Sequence, residues 1–79
     1  MNMSPVLLNE SERERRLSEI EREIERLRRK YGMDFDEFFE LTEHGFGRLL
    51  EMGFDPDEVL RDVSEWEDLE DELEILRRV

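Results

Sequence analysis

The chain has 79 residues, a formal net charge of −12 at pH 7 and no cysteine, and 46% of its residues are charged. Without cysteine it can form neither a disulfide nor a thiolate metal site. A single domain of this size has a marginal hydrophobic core, so we expect association with another chain to add stability. The first eight residues lack the basic region and long apolar run of a signal peptide, and no apolar stretch reaches membrane-spanning length. We therefore expect a cytoplasmic protein that does not enter the membrane.

The charge is unevenly distributed along the chain. Residues 1–31 carry eight Arg or Lys against seven Glu, whereas residues 32–79 carry four Arg against seventeen Asp or Glu. We interpret 1–31 as an N-terminal lead with an oligomerisation helix, and 32–79 as an acidic helical region that binds a partner. A strongly negative field repels nucleic acid and attracts cationic proteins. The charge therefore predicts a basic protein partner.

The run from Asn9 to Lys30 contains no Gly or Pro, which favours a long first helix. Ser11 with Glu14 matches a capping box at its start, and Gly32 matches a stop signal at its end. Its apolar residues are spaced three and four apart, as in a coiled coil, which predicts self-association. Packing of the same seam on another helix of this chain is an alternative of equal weight. The seam consists of Leu17, Ile20, Ile24, Leu27 and Tyr31.

Two further helix starts share one pattern. Asp34 precedes Glu37 by three residues, as an N-cap precedes a capping-box Glu. Asp55 precedes Glu58 in the same way, with Pro56 at the first helical position. Both segments are therefore predicted to begin helices.

The remaining patterns define the fold class. Gly45 and Gly47 interrupt one apolar face, which indicates either one bent helix or two short ones. From Pro56 onward the helical spacing predicts a long or once-broken last helix, with a possible restart at Ser64. No segment alternates apolar and polar residues as a strand does. We predict an all-α fold in which a long N-terminal helix with a short coiled-coil seam is followed by two or three shorter helices.

Side chains suited to catalysis are few. The chain has one His, one Lys and one Tyr, and no carboxylate pair stands out as a matched acid and base. His44 with Glu40 has a spacing that two metal ligands can share, but a solvated His near a helix end is the favoured interpretation. We predict that the protein is not an enzyme and has no catalytic residue, metal or other cofactor.

Four cations are clustered near the end of the first helix, at Arg26, Arg28, Arg29 and Lys30. Cations in a last helical turn interact favourably with the helix dipole, and we prefer this explanation. Contact with DNA phosphates is kept as a weaker alternative.

The segment from Glu65 to Glu74 holds seven acids in ten residues around an amphipathic apolar stripe. Trp and Leu at helical spacing are typical of anchors that fill a groove on another protein, while the acids match a cationic rim. The alternative is that the stripe completes the core of this protein. The predicted partner-binding residues are Trp66, Leu69, Leu73, Leu76, Glu67, Asp68 and Glu70.

The segment from Arg28 to Phe38 and the segment from Ser64 to Leu69 resemble parts of small prokaryotic antitoxins of type II toxin–antitoxin modules. In such families an N-terminal helix often dimerises, and an acidic C-terminal part wraps a basic toxin, commonly a ribonuclease. The resemblance implies an antitoxin-like protein that neutralises a basic partner within a homo-oligomer or a hetero-complex. A self-associating helical scaffold or adaptor without catalytic activity is the alternative.

Overall fold

The computed structural model describes residues 9–78, so the predicted N-terminal lead, residues 1–8, lies outside the described residues. The four helices of this range are α1 (Glu10–Tyr31), α2 (Phe35–His44), α3 (Phe46–Glu51) and α4 (Pro56–Arg78). Residues 9–78 contain no strand, so the predicted all-α fold class is confirmed.

The first helix begins earlier than predicted. Asn9 Oδ1 accepts the backbone N–H of Glu12 at 2.8 Å, and Glu12 Oε1 accepts the backbone N–H of Asn9 at 3.4 Å. The prediction that Ser11 caps α1 is wrong, because this reciprocal pair already satisfies two free N–H groups two residues upstream. At the other end Gly32 has φ 72° and donates its N–H to the carbonyl of Arg28 at 2.7 Å, as the stop signal predicted.

The two Asp residues that precede later helices behave differently. Asp34 lies directly before α2, but its side chain makes no capping hydrogen bond and instead pairs with Arg28 Nε at 2.9 Å. Asp55 caps α4 as predicted, because its Oδ2 accepts the N–H of Glu58 at 3.0 Å. Pro56 is the first residue of α4, where a missing N–H is tolerated.

The break in the middle of the chain falls at Gly45, which leaves two short helices rather than one bent helix. Its φ of −148° and ψ of 34° are not helical, so α2 ends there and α3 begins with the next residue. By contrast, α4 continues unbroken for 23 residues and passes through Ser64 without a restart. The prediction that only shorter helices follow α1 is therefore wrong for α4, which has no Gly or Pro after its first residue.

α1 and α4 pack antiparallel, as the two arms of a hairpin whose connection contains α2 and α3, and α2 packs on α4 and on α3. The direction follows from two contacts: Arg13 near the start of α1 reaches the carbonyl of Leu76, whereas Lys30 near its end reaches Asp62. Regions 1–31 and 32–79 therefore contact each other along most of α1. The buried core consists of Ile20, Ile24, Leu27, Tyr31, Phe38, Leu49, Val59, Trp66, Leu69, Leu73 and Leu76.

The predicted coiled-coil seam is part of this core. Four of its five residues are buried, and the fifth, Leu17, is partly buried against the same cluster. The seam lies in the contact between α1 and α4 of one chain. Intrachain packing therefore accounts for the heptad spacing, and a coiled coil between chains is not confirmed.

Candidate functional site

Trp66, the central predicted anchor, lies in the core. Its side chain is 0% exposed, with ring centroids 5.6 Å from Phe35 and 5.3 Å from Phe38. The indole Nε1–H donates to Glu70 Oε2 at 3.1 Å, so its polar atom is also satisfied within the chain. Trp66 therefore stabilises the contact of α4 with α2.

The three leucines predicted to accompany Trp66 are also buried. Leu69, Leu73 and Leu76 are between 8% and 9% exposed and belong to the core. A partner could reach this stripe only if α4 separated from the rest of the protein. The binding role of these four residues stays a prediction, whereas their packing role is visible in the structure.

The acidic residues of α4 divide between its edges and the face turned away from the core. Positions three and four apart share one face of a helix, and on this face every one of six such positions is exposed. We call this surface the outer face of α4. It comprises Leu60, Ser64, Glu67, Asp68, Asp71 and Ile75.

The three carboxylates of the outer face make no ion pair with any of residues 9–78. They are Glu67, Asp68 and Asp71, of which the sequence had singled out the first two. At the edge that meets α1, Glu65 pairs with Arg26 at 3.1 Å. On α4, carboxylates without an ion pair in residues 9–78 are therefore found on the outer face rather than along the α1 contact, and α2 carries further exposed acids of this kind, such as Glu40 and Glu43.

An Arg–carboxylate pair fixes the edge of α4 to α1. Arg16 Nε and Nη2 donate to the two carboxylate oxygens of Glu72, each at 2.6 Å. This bidentate hydrogen bond lowers the pKa of Glu72, although partial burial opposes the shift. Arg13 Nη1 adds a hydrogen bond to the carbonyl of Leu76 at 3.1 Å. These contacts hold the last turns of α4 in place.

A second polar cluster joins the other end of the hairpin. Asp62 accepts hydrogen bonds from Lys30 Nζ at 2.6 Å and from the Tyr31 hydroxyl at 2.5 Å. Burial acts to raise the pKa of Asp62, but these two hydrogen bonds and the nearby positive charge lower it overall. Burial, together with the hydrogen bond to Asp62, raises the pKa of Tyr31. Lys30 also pairs with Glu58, so α1 and α4 are linked here by charge as well as by packing.

The four cations that could contact DNA are all paired with carboxylates of this chain. Arg28 and Arg29 each contact Glu25 at 3.1 Å. The other two, Arg26 and Lys30, pair across to α4. A phosphate group would compete with carboxylates already in place. DNA binding by this cluster stays a prediction without a structural feature that favours it.

Residues 9–78 contain neither a cluster of metal ligands nor a membrane-spanning helix. His44 is exposed at the end of α2, and residues 9–78 contain no group of three or more His, Asp or Glu side chains arranged to hold a metal ion. None of the helices in this range combines the length and the apolarity that a membrane span requires.

Two members of the outer face were not identified as surface residues from the sequence. Leu60 and Ile75 are 54% and 55% exposed, although both are large and apolar. Each follows a neighbour that belongs to another face, and consecutive residues on a helix point about 100° apart. Helical spacing counted from Asp68 and Asp71 would have found them.

The fold and its surface define an antiparallel helical hairpin with an acidic outer face. Comparison with protein-family models, with curated proteins and with solved structures gives no match to this chain.

Proposed function

We propose that this protein binds a basic protein through the outer face of α4, in the manner of an antitoxin that neutralises a cationic toxin. The observation that supports the proposal is the exposed group of Glu67, Asp68 and Asp71, which has no cation partner within residues 9–78. The net charge of −12 adds a long-range field of the same sign. Such a field raises the rate of encounter with a cationic surface and disfavours acidic partners.

The proposed contact keeps Glu67 and Asp68 of the side chains expected from the sequence and leaves out the apolar stripe. Trp66 and the leucines of the apolar stripe hold α4 against α1 and α2, and the acids on the other side contact the partner. The outer face is then preformed, since α4 is already ordered by its own core. A preformed surface loses less conformational entropy on binding than a segment that must first fold.

Neutralisation follows from competition for cations. If the partner is a ribonuclease-like toxin, its Lys and Arg side chains must contact RNA phosphates for activity. Carboxylates of the outer face would occupy those cations and exclude the phosphates. Binding therefore inhibits the partner without any catalytic step by this chain.

The test is capture of a partner from the native host with the tagged full-length chain, followed by mass spectrometry at low and at moderate salt. The outer-face variant combines Glu67→Lys with Asp71→Lys. The matched control combines Glu40→Lys with Glu43→Lys, which changes the net charge equally at exposed acids of α2. Circular dichroism of each variant checks that the helices are retained.

We expect the wild-type chain and the α2 control to retain one basic protein in a fixed ratio. The outer-face variant should retain at least about tenfold less, and higher salt should weaken retention because charge dominates the encounter. Equal retention by both variants would reject the outer face as the binding surface. Capture of no basic protein in a fixed ratio would reject the function itself.

A further inference from the structure

An open groove runs along α4 where the outer face meets the edge facing α1. It extends from Leu60 to Glu72, a distance of twelve residues or about 18 Å along the helix. Leu60 contributes an apolar surface at one end, and this residue is more than half exposed. The other side chains that line the groove and bear on the argument are Ser64, Asp68, Leu69, Arg61 and Arg16.

We propose that this groove receives a basic amphipathic helix of the partner, about three turns long. An apolar side chain of that helix packs against Leu60, and a Lys or Arg pairs with Asp68. This inference rests on the proposed function and specifies the element that the basic partner contributes.

A helix suits the groove better than other peptide conformations. The backbone groups of α1 and α4 are used within their own helices, so the groove offers no row of free donors and acceptors for an added strand. None of its lining residues is aromatic, whereas polyproline segments dock on aromatic side chains. A helix satisfies its own backbone and presents side chains at the spacing of Leu60, Ser64 and Asp68.

Of the acids that line the groove, Glu65 and Glu72 are paired with Arg26 and Arg16. Within residues 9–78 this leaves one open acid, Asp68, and one open cation, Arg61. The negative charge that favours a basic occupant comes from Asp68 together with Glu67 and Asp71 of the adjoining outer face. At its far end Arg16 is held by Glu72 in the bidentate pair, so this cation is already neutralised. Asp68 makes no ion pair within residues 9–78 and is open to a cation of the partner. Arg61 also lacks an ion pair in that range, and it lies beside Leu60. The negative C-terminal end of the incoming helix therefore fits best at Arg61, which orients that helix antiparallel to α4.

The experiment uses two synthetic peptides of 14 residues with the same number of Leu and Lys. In one the leucines form a single helical face, and in the other they are scattered around the helix. Their dissociation constants are measured by isothermal titration calorimetry against the full-length protein and three variants. Leu60→Ser and Asp68→Lys change the groove, whereas Met52→Ser removes an apolar side chain of nearly equal exposure, 53% against 54% for Leu60, outside it.

We expect the amphipathic peptide to bind at least about tenfold more tightly than the scattered one. Leu60→Ser should abolish that preference, and Asp68→Lys should weaken the binding of both peptides. Met52→Ser should leave both dissociation constants within about twofold of the wild-type values. Equal binding of the two peptides, or an unchanged preference in Leu60→Ser, would overturn the proposal that the groove binds a basic amphipathic helix.

The outcome for the groove is separable from the outcome for the proposed function. If both peptides bind equally and both are lost in the Glu67→Lys, Asp71→Lys variant, the acidic outer face still binds cations and only the groove is rejected. If neither peptide binds at low salt, the groove is rejected, and the host capture decides the function independently.

Discussion

At the scale of single residues, replacing Trp66 tests whether the apolar stripe of α4 forms the core or binds a partner. Its ring fills the space between α2 and α4, so Trp66→Ala leaves a large cavity. Truncation of a buried aromatic side chain costs about 3 to 5 kcal/mol, a large part of the stability of a small domain. We expect the midpoint of urea denaturation, followed by circular dichroism, to fall sharply.

A conservative variant separates packing from hydrogen bonding at the same position. Trp66→Phe keeps an aromatic ring and loses only part of the contact area and the bond to Glu70. Its loss of unfolding free energy should be smaller than that of the Ala variant. An Ala variant whose stability is within about 0.5 kcal/mol of the wild type would show that the stripe is not part of the core, and would restore it as a candidate binding surface.

The Asp62 carboxylate should make the free energy of unfolding depend on pH. In the folded chain its pKa is below the ordinary value of about 4. Its contribution to the free energy of unfolding is therefore complete at a pH well above 4 and is lost as the pH falls through the lowered pKa. Asp62→Asn should destabilise the protein at pH 7 by about 1 to 3 kcal/mol, because a charged acceptor of two hydrogen bonds is removed. The difference in unfolding free energy between the variant and the wild type should stay constant from pH 7 to about pH 4 and should narrow as the pH falls further.

Asp71→Asn is the control for this measurement. Asp71 is exposed and makes no ion pair within residues 9–78, so its amide should leave the unfolding free energy unchanged within about 0.5 kcal/mol at every pH. A difference between Asp62→Asn and wild type that stays constant down to pH 3 would contradict the role of the Asp62 carboxylate.

At the scale of helices, the sequence predicted which segments are helical better than it predicted what they contact. Gly32 and Asp55 each form a hydrogen bond with a residue three or four positions away. The local sequence therefore determines these two helix boundaries, and both were predicted correctly. Asn9 and Ser11 are both good caps, and local chemistry alone does not decide between them. The heptad spacing of α1 and the stripe of α4 each require an apolar surface opposite. Whether that surface belongs to the same chain is a property of the whole fold, and the two stripes cover each other.

Two exposed glycines should respond in opposite directions to replacement by Ala. Gly32 has φ 72°, where a side chain is strained, so Gly32→Ala should cost about 1 kcal/mol. Gly47 is inside α3, and an added Cβ there meets nothing within 4 Å. Gly47→Ala should therefore stabilise the protein by about 0.5 to 1 kcal/mol through helix propensity. Thermal denaturation of both variants gives the sign, and a loss of stability in Gly47→Ala would contradict this account of α3.

At the scale of the whole molecule, the acidic outer face could be predicted only in part. The excess of acids in residues 32–79 is visible in composition, and it led to Glu67 and Asp68. The sequence could not show that Trp66 is buried in this chain while Glu67 and Asp68 stay on the surface. An amphipathic helix has the same pattern whether its apolar side faces its own core or a partner. Ion pairing also depends on the fold, because Glu65 and Glu72 meet Arg residues 39 and 56 positions away. The three free acids of the outer face lie on the side of α4 that is turned away from its contacts with α1 and α2.

The oligomeric state tests this arrangement as a whole. In the structure the seam of α1 is buried on α4, and two copies with a net charge of −12 repel each other. We therefore expect light scattering at neutral pH to give the mass of one chain, 9.7 kDa, at protein concentrations from about 20 to 500 μM. The result should not change at high salt, since screening removes the repulsion but does not expose the seam. A dimer that persists at the lowest concentration would instead support the self-associating scaffold, and the packing of Leu17 to Tyr31 would then be between chains.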